Sequence, residues 1–137
     1  YSRTHYIGHA QAIKPVMTVA ENVTFWGKLR TPKPDIIRAL TAFGLKDLEN
    51  MPVQFLSAGQ KQRVNLARIV AAPANLWLLD EPATSLDTDA IAFLSEIISA
   101  HRRNGGIVIV STHHDLKLTN SATLHLDDFT GKGSALV

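Results

Sequence analysis

The chain has 137 residues, the size of one ordinary domain and long enough to bury a real core. Its 45% apolar and 19% charged composition excludes a disordered or fibrous chain, and a net charge of only +2 is too thin an excess for a nucleic-acid footprint. The absence of cysteine excludes a disulfide scaffold, a thiolate metal site and a cysteine nucleophile. No apolar run reaches the ~18 residues of a membrane helix; the nearest candidate, residues 69–79, is broken by Pro73 and Asn75. The chain starts Tyr1-Ser2-Arg3-Thr4, with neither an initiator Met nor a signal-peptide pattern, and is expected to be a piece of something longer.

In chain order, residues 4–8 predict a short strand, followed by a polar loop through Lys14 and Pro15. Residues 19–26 fit a short helix that Gly27 is expected to end. Thr31-Pro32-Lys33-Pro34 is a turn, and Pro34 suits a first helical turn. Ile36, Ile37, Leu40 and Phe43 then recur at helical spacing until Gly44. Ser57-Ala58-Gly59-Gln60 has the Ser-x-x-Gln form of a capping box. The helix it opens carries Val64, Ala67 and Ala71 on one face, widened by Leu66 and Val70, and Pro73 closes it. The solid apolar run Leu76-Trp77-Leu78-Leu79 predicts a parallel strand buried on both faces, ending in Asp80-Glu81-Pro82. Residues 88–103 form an amphipathic helix through Ile91, Leu94, Ile97 and Ile98, stopped by Gly105-Gly106. Ile107-Val108-Ile109-Val110 is a second doubly buried strand, and residues 123–126 alternate as an edge strand would. This grammar is that of a parallel α/β sheet. Ligands of such sheets gather at the carboxyl ends of the strands, where Asp80, Glu81, His113 and His114 fall.

Each motif also has a bland reading. Asp80 and Glu81 are either solvated acids at a strand end or a magnesium ligand followed by a group that polarises an attacking water. Ser57 to Gln60 is either an ordinary helix start or an anion site, since Gly59 leaves the first-turn N–H groups open at the positive helix end. His113 and His114 are either surface histidines or donors to a phosphate or a water; they form no metal face, because no third ligand has suitable spacing.

Taken together, Leu56-Ser57-Ala58-Gly59-Gln60-Lys61-Gln62-Arg63 resembles the signature of ATP-binding cassette (ABC) ATPases. Leu78-Leu79-Asp80-Glu81-Pro82 resembles their Walker B strand with its catalytic Glu, Thr84-Ser85-Leu86-Asp87 their D-loop, and Val110-Ser111-Thr112-His113 their switch histidine. Within the family, Tyr6-Ile7-Gly8-His9, Ile13-Lys14 and Met17-Thr18-Val19-Ala20-Glu21-Asn22 are similar to the Q-loop region of the haem-exporter ATPases of cytochrome c maturation, as are Ala58 and the Leu76 to Leu79 strand.

The pattern departs from the family at two places. The Q-loop glutamine aligns with Ala10, and Gln11 sits one place later, so either Gln11 takes the role through a shifted loop or the role is lost. No G-x-x-x-x-G-K-[ST] loop exists in the chain; Gly131-Lys132-Gly133-Ser134 lacks the leading glycine and lies at the wrong end. The phosphate loop is expected upstream of Tyr1, and the chain by itself is expected to be inactive.

The resemblance implies an α/β fold, a P-loop NTPase core with a small helical subdomain, without its phosphate-loop part. Residues 1–17 would be a core strand and the Q-loop region, 18–72 the helical subdomain, and 73–137 the rest of the core. It implies ATP and Mg2+ as ligands, with Asp80 serving the metal, Glu81 and His113 catalytic, and Ser57, Ala58, Gly59, Gln60, Asp87 and Gln11 on the nucleotide. Ser57 and Gly59 would meet a γ-phosphate held by a second ABC domain, a homodimer partner or a paired one. Membrane permease subunits would be driven from the cytoplasmic face of the bacterial inner membrane, with haem handling for c-type cytochromes the implied process and no nucleic acid involved. The alternatives are another small ABC exporter, for lipoproteins or drugs, a soluble ABC ATPase, and a non-catalytic interaction module.

Overall fold

A computed structural model describes residues 3–129; the Gly131-Lys132-Gly133-Ser134 segment lies outside them. Three strands, β1 (Thr4–Ile7), β2 (Leu76–Asp80) and β3 (Ile107–Ser111), pair in the order β1-β2-β3, all parallel. β2 is the centre, with Ile7 opposite Leu79 on one side and Asp80 opposite Ser111 on the other. Between β1 and β2 run three helices, α1 (Val19–Lys28), α2 (Ile36–Ala42) and α3 (Ala58–Ala71), which pack on one another. A single helix, α4 (Thr88–Arg103), connects β2 to β3.

The helix starts follow from their caps. Thr18 and Ser57 each form a full capping box, with Glu21 and Gln60 returning to the cap N–H. Asp87 caps α4 by accepting the Ala90 N–H at 2.8 Å. Such caps contribute about 1 kcal/mol each. Two local expectations are corrected. Pro34 is not in a helical turn: Asp35 accepts the Arg38 N–H at 3.0 Å and caps α2 one residue later, because a carboxylate satisfies a first-turn donor and proline cannot. Gly27 does not end α1, which runs on to Lys28. A Cβ at Gly27 would stand 2.5 Å from the Pro34 side chain, so the glycine serves a close approach between chain segments rather than a stop.

The strands are buried on one face. His5, Ile7, Trp77 and Leu79 point into the helix layer with Leu66, Ile69, Leu94 and Ile98 in the same core. On the opposite face Tyr6, Ile107 and Ile109 are 58%, 62% and 60% exposed, so the expectation of doubly buried strands is corrected. A run of apolar residues signals cover on both faces, and among the described residues the helices cover only one. Residues 123–126 form no strand; Leu126 opens a 3-10 turn, Leu126–Phe129, and Leu124 and Leu126 are exposed. Alternation marks a strand only where an edge is available to pair with it.

His5 sits in the core at 2% exposure, and its Nε2 donates to the Ala72 carbonyl at 2.8 Å. Its register partner Trp77 stacks on His101, ring centroids 3.7 Å apart and planes within 7°. Burial, with the nearby Arg30, Arg68 and His101 charges, lowers the His5 imidazole from 6.5 to about 4. The unfolded chain therefore binds a proton near pH 6.5 that the folded chain refuses until about 4. Stability is full above about 6.5 and falls as pH drops toward 4, by up to ~3 kcal/mol. Urea unfolding of the wild type and His5→Gln at pH 7 and pH 4.5 tests this. The wild type should lose markedly more stability on acidification than the variant, while His101, lowered in the same direction, leaves both a common residual slope. Equal losses in the two proteins would remove His5 as the source.

Candidate functional site

The carboxyl ends of β2 and β3 carry the acids and histidines. Register puts Asp80 beside Ser111, and one residue on, the Glu81 N–H donates to the Ser111 carbonyl at 2.7 Å. Glu81 has φ +48, a left-handed backbone that a non-glycine residue adopts at a cost of about 1 kcal/mol or more. That bond and the Thr84 N–H on the Glu81 carbonyl, 3.2 Å, hold it there. The turn swings the carboxylate toward the end of β3. Oε2 accepts the His113 N–H at 3.3 Å, Oε1 lies 3.3 Å from His113 Nε2, and His114 Nδ1 is 3.9 Å from Oε2. The Glu81 side chain is largely buried while that of His113 is 94% exposed. The arrangement is a shielded carboxylate beside an exposed imidazole.

Asp80 is half-buried, and its carboxylate has no protein donor among the described residues. No cluster of three or more His, Asp or Glu able to hold a metal occurs among them either. A lone free carboxylate suits Mg2+, which keeps waters and rests on one or two carboxylates plus phosphates.

A second group of residues lies at the start of α3. The Ser57 hydroxyl accepts the Gln60 N–H at 3.2 Å and the Gln60 amide oxygen accepts the Ser57 N–H at 2.9 Å. The N–H groups of Ala58 and Gly59 have no acceptor among the described residues, and both Ser57 and Ala58 are exposed. This open, positive helix end can accept an anion. Gly59 backs onto the turn after Pro82, where a Cβ would stand 2.7 Å from the Ser85 carbonyl oxygen; Ser85 itself has φ +65.

The family described as ABC transporter matches residues 2–84. The chain belongs to the ABC transporter family. It is also similar to cytochrome c biogenesis ATP-binding export proteins CcmA. It is 49% identical to that of Paramagnetospirillum magneticum over an alignment of 133 positions that covers 93% of this chain and 61% of the relative. It is 53% identical to that of Rhodospirillum rubrum over 128 residues, 93% of this chain and 55% of the relative. With that of Paracoccus denitrificans it shares 43% over 124 residues, 90% and 59% of the two chains. The chain thus spans little more than half the length of these curated relatives.

For an ABC transporter chain, the structure gathers Asp80, Glu81 and His113 at one sheet end and sets Ser57, Ala58, Gly59 and Gln60 at the start of α3. Asp87 is engaged as the α4 cap. Gln11, one place after the expected Q-loop position, donates through Nε2 to Gln62 Oε1 at 2.9 Å. Sequence reasoning missed Gln62, Ser111 and the contact of Gly59 with Ser85. Their partners are remote in the chain, and a buried glutamine between charged residues carries no local signal beyond its unusual burial.

The close approach at Gly59 has a measurable consequence. Gly59→Ala should destabilise the folded chain by roughly 1–3 kcal/mol, the usual cost of forcing an extra carbon into a tight contact. Urea unfolding of the two proteins measures it. Equal stability, or the gain expected of alanine in an unobstructed helix, would show that the α3 start and the Ser85 turn are not in contact.

Proposed function

We propose that the longer protein to which this chain belongs is the ATP-hydrolysing subunit of an ABC transporter that powers haem export or handling in c-type cytochrome biogenesis. The observation that carries the reading is the shielded Glu81 carboxylate between Asp80 and His113 at the ends of two paired parallel strands, in a chain whose relatives are named as ATP-binding export proteins of that process. Asp80 would hold Mg2+ brought with the nucleotide. The metal supplies charge neutralisation at the phosphates. Glu81 orients and polarises the attacking water, its position held by the His113 and Ser111 backbone. His113, exposed and beside Glu81, donates to the γ-phosphate. Gln11 and Asp87 complete the nucleotide surroundings.

The free Ala58 and Gly59 amides, with Ser57 and Gln60, meet the γ-phosphate of nucleotide held by a second ABC domain, a second copy of the same subunit or a paired one. A phosphate loop is not among the residues of this chain, so the chain by itself turns over little ATP. Membrane permease subunits dock beside the segment after β1. There Val16, Met51 and Phe55 are exposed on backbone tied together by the Val53 N–H on the Met17 carbonyl at 3.0 Å and the Gln54 N–H on that of Pro15 at 2.9 Å. No helix among the described residues is long and apolar enough to cross a membrane. The subunit works peripherally at the cytoplasmic face of the inner membrane.

The test is Glu81→Gln in the longer protein. The amide keeps the shape of the side chain and loses the base, so ATP should still bind while turnover falls about 10²- to 10⁴-fold. ATP-bound dimers should accumulate, visible by size-exclusion chromatography. Unchanged hydrolysis would take the water-activating role away from Glu81.

A further inference from the structure

One buried polar side chain lies between the parts of the site without belonging to any of them. Gln62 is 5% exposed, on the second turn of α3. Its Nε2 donates to the Pro82 carbonyl at 3.0 Å, and its Oε1 accepts the Gln11 Nε2–H at 2.9 Å. The direction of the relay follows from the chemistry. A proline carbonyl can only accept, so the Gln62 amino group must face it, and its oxygen is left for a donor. Gln11 supplies that donor from the segment after β1. The bond to Pro82 is buried, where leaving a polar group unpaired costs about 1–3 kcal/mol, and the bond from the exposed Gln11 is part-buried.

Pro82 directly follows Glu81. The Glu81 N–H is fixed to Ser111, and the Pro82 carbonyl, one residue on, is fixed to Gln62. The left-handed Glu81 backbone is thus gripped on both sides, once by the sheet and once by α3. We propose that Gln62 is a positioning residue, whose amide ties the Glu81 turn to Gln11 and sets the carboxylate according to where the segment after β1 stands. The inference rests on the reading of Glu81 as the water-activating group and deepens it. Because the Gly59 end of the same helix touches Ser85, α3 holds this turn at two points. Only the Gln62 contact continues to Gln11.

The experiment is a double-mutant cycle in the longer protein with Gln11→Met, Gln62→Met and both together. Methionine keeps the volume and flexibility of glutamine and removes the hydrogen bonds. Steady-state ATP hydrolysis is measured at a temperature where circular dichroism shows every variant folded, and urea midpoints are recorded for the same proteins. Gln62→Met should lower kcat about 10- to 100-fold, the effect of a misplaced reacting group, with KM changed less than about threefold. The double variant should be no worse than the poorer single one. Gln62→Glu, which keeps the acceptor for Gln11 but sets a carboxylate against the Pro82 carbonyl, should not restore turnover. Wild-type kcat in Gln62→Met, or single effects that multiply in the double variant, would overturn the proposal. The midpoints separate it from the reading beneath it. A wild-type protein that hydrolyses no ATP defeats the ATPase reading, and non-additive midpoints in that case still support the Gln11–Gln62 tie. Additive midpoints defeat the tie itself.

Discussion

The site depends on β2 being hydrogen-bonded to a parallel neighbour along both edges. That pairing leaves Leu76–Asp80 no freedom to slip, since a shift of one residue would send Trp77 and Leu79 to the open face and bring Leu76 and Leu78 into the core. Burial of Trp77 and Leu79, about 1.5–3 kcal/mol for a side chain of the size of leucine, therefore holds the register that sets Asp80 opposite Ser111. Everything at the sheet end inherits this alignment. Glu81 leaves the strand with its N–H already committed to Ser111, and the left-handed turn carries its carboxylate to His113.

The helices do for the loops what the sheet does for the strand ends. Asn22, buried on α1, accepts the Lys14 N–H at 2.7 Å and donates to the Lys14, Met17 and Thr18 carbonyls. It holds in one conformation a segment with no regular structure of its own. That segment in turn is bonded to residues 51–54, only a few positions before the Ser57 cap. The segment after β1 is thereby bonded to the approach to α3, and through Gln11 and Gln62 to the Pro82 carbonyl beside Glu81.

Local chemistry was legible in the chain, and long-range chemistry was not. The Ser57 box could be seen because cap and return residue stand three apart. The strand cores could be seen because apolar residues are consecutive, and the gathering of Asp80, Glu81 and His113 because parallel strands end together. The open face of Tyr6, Ile107 and Ile109 could not, since a sequence states that a side chain is apolar but not which element covers it. Gly27 reads as a stop in the sequence because the reason for it, Pro34, approaches through space. Residues 123–126 alternate correctly but meet no strand among the described residues. Gln62 carries no local signal because both of its partners are distant, and between Lys61 and Arg63 it has the look of a solvated helix face.

The proposed function requires the reacting phosphate to lie at the paired ends of β2 and β3. A crystal structure of the longer protein with Mg2+ and a slowly hydrolysed ATP analogue tests it most directly. The account predicts the γ-phosphate within hydrogen-bond reach of His113, the metal on the Asp80 side, and a water between Glu81 and the γ-phosphorus. A γ-phosphate bound away from these strand ends, with Glu81 still turned to His113 and no water between them, would contradict it.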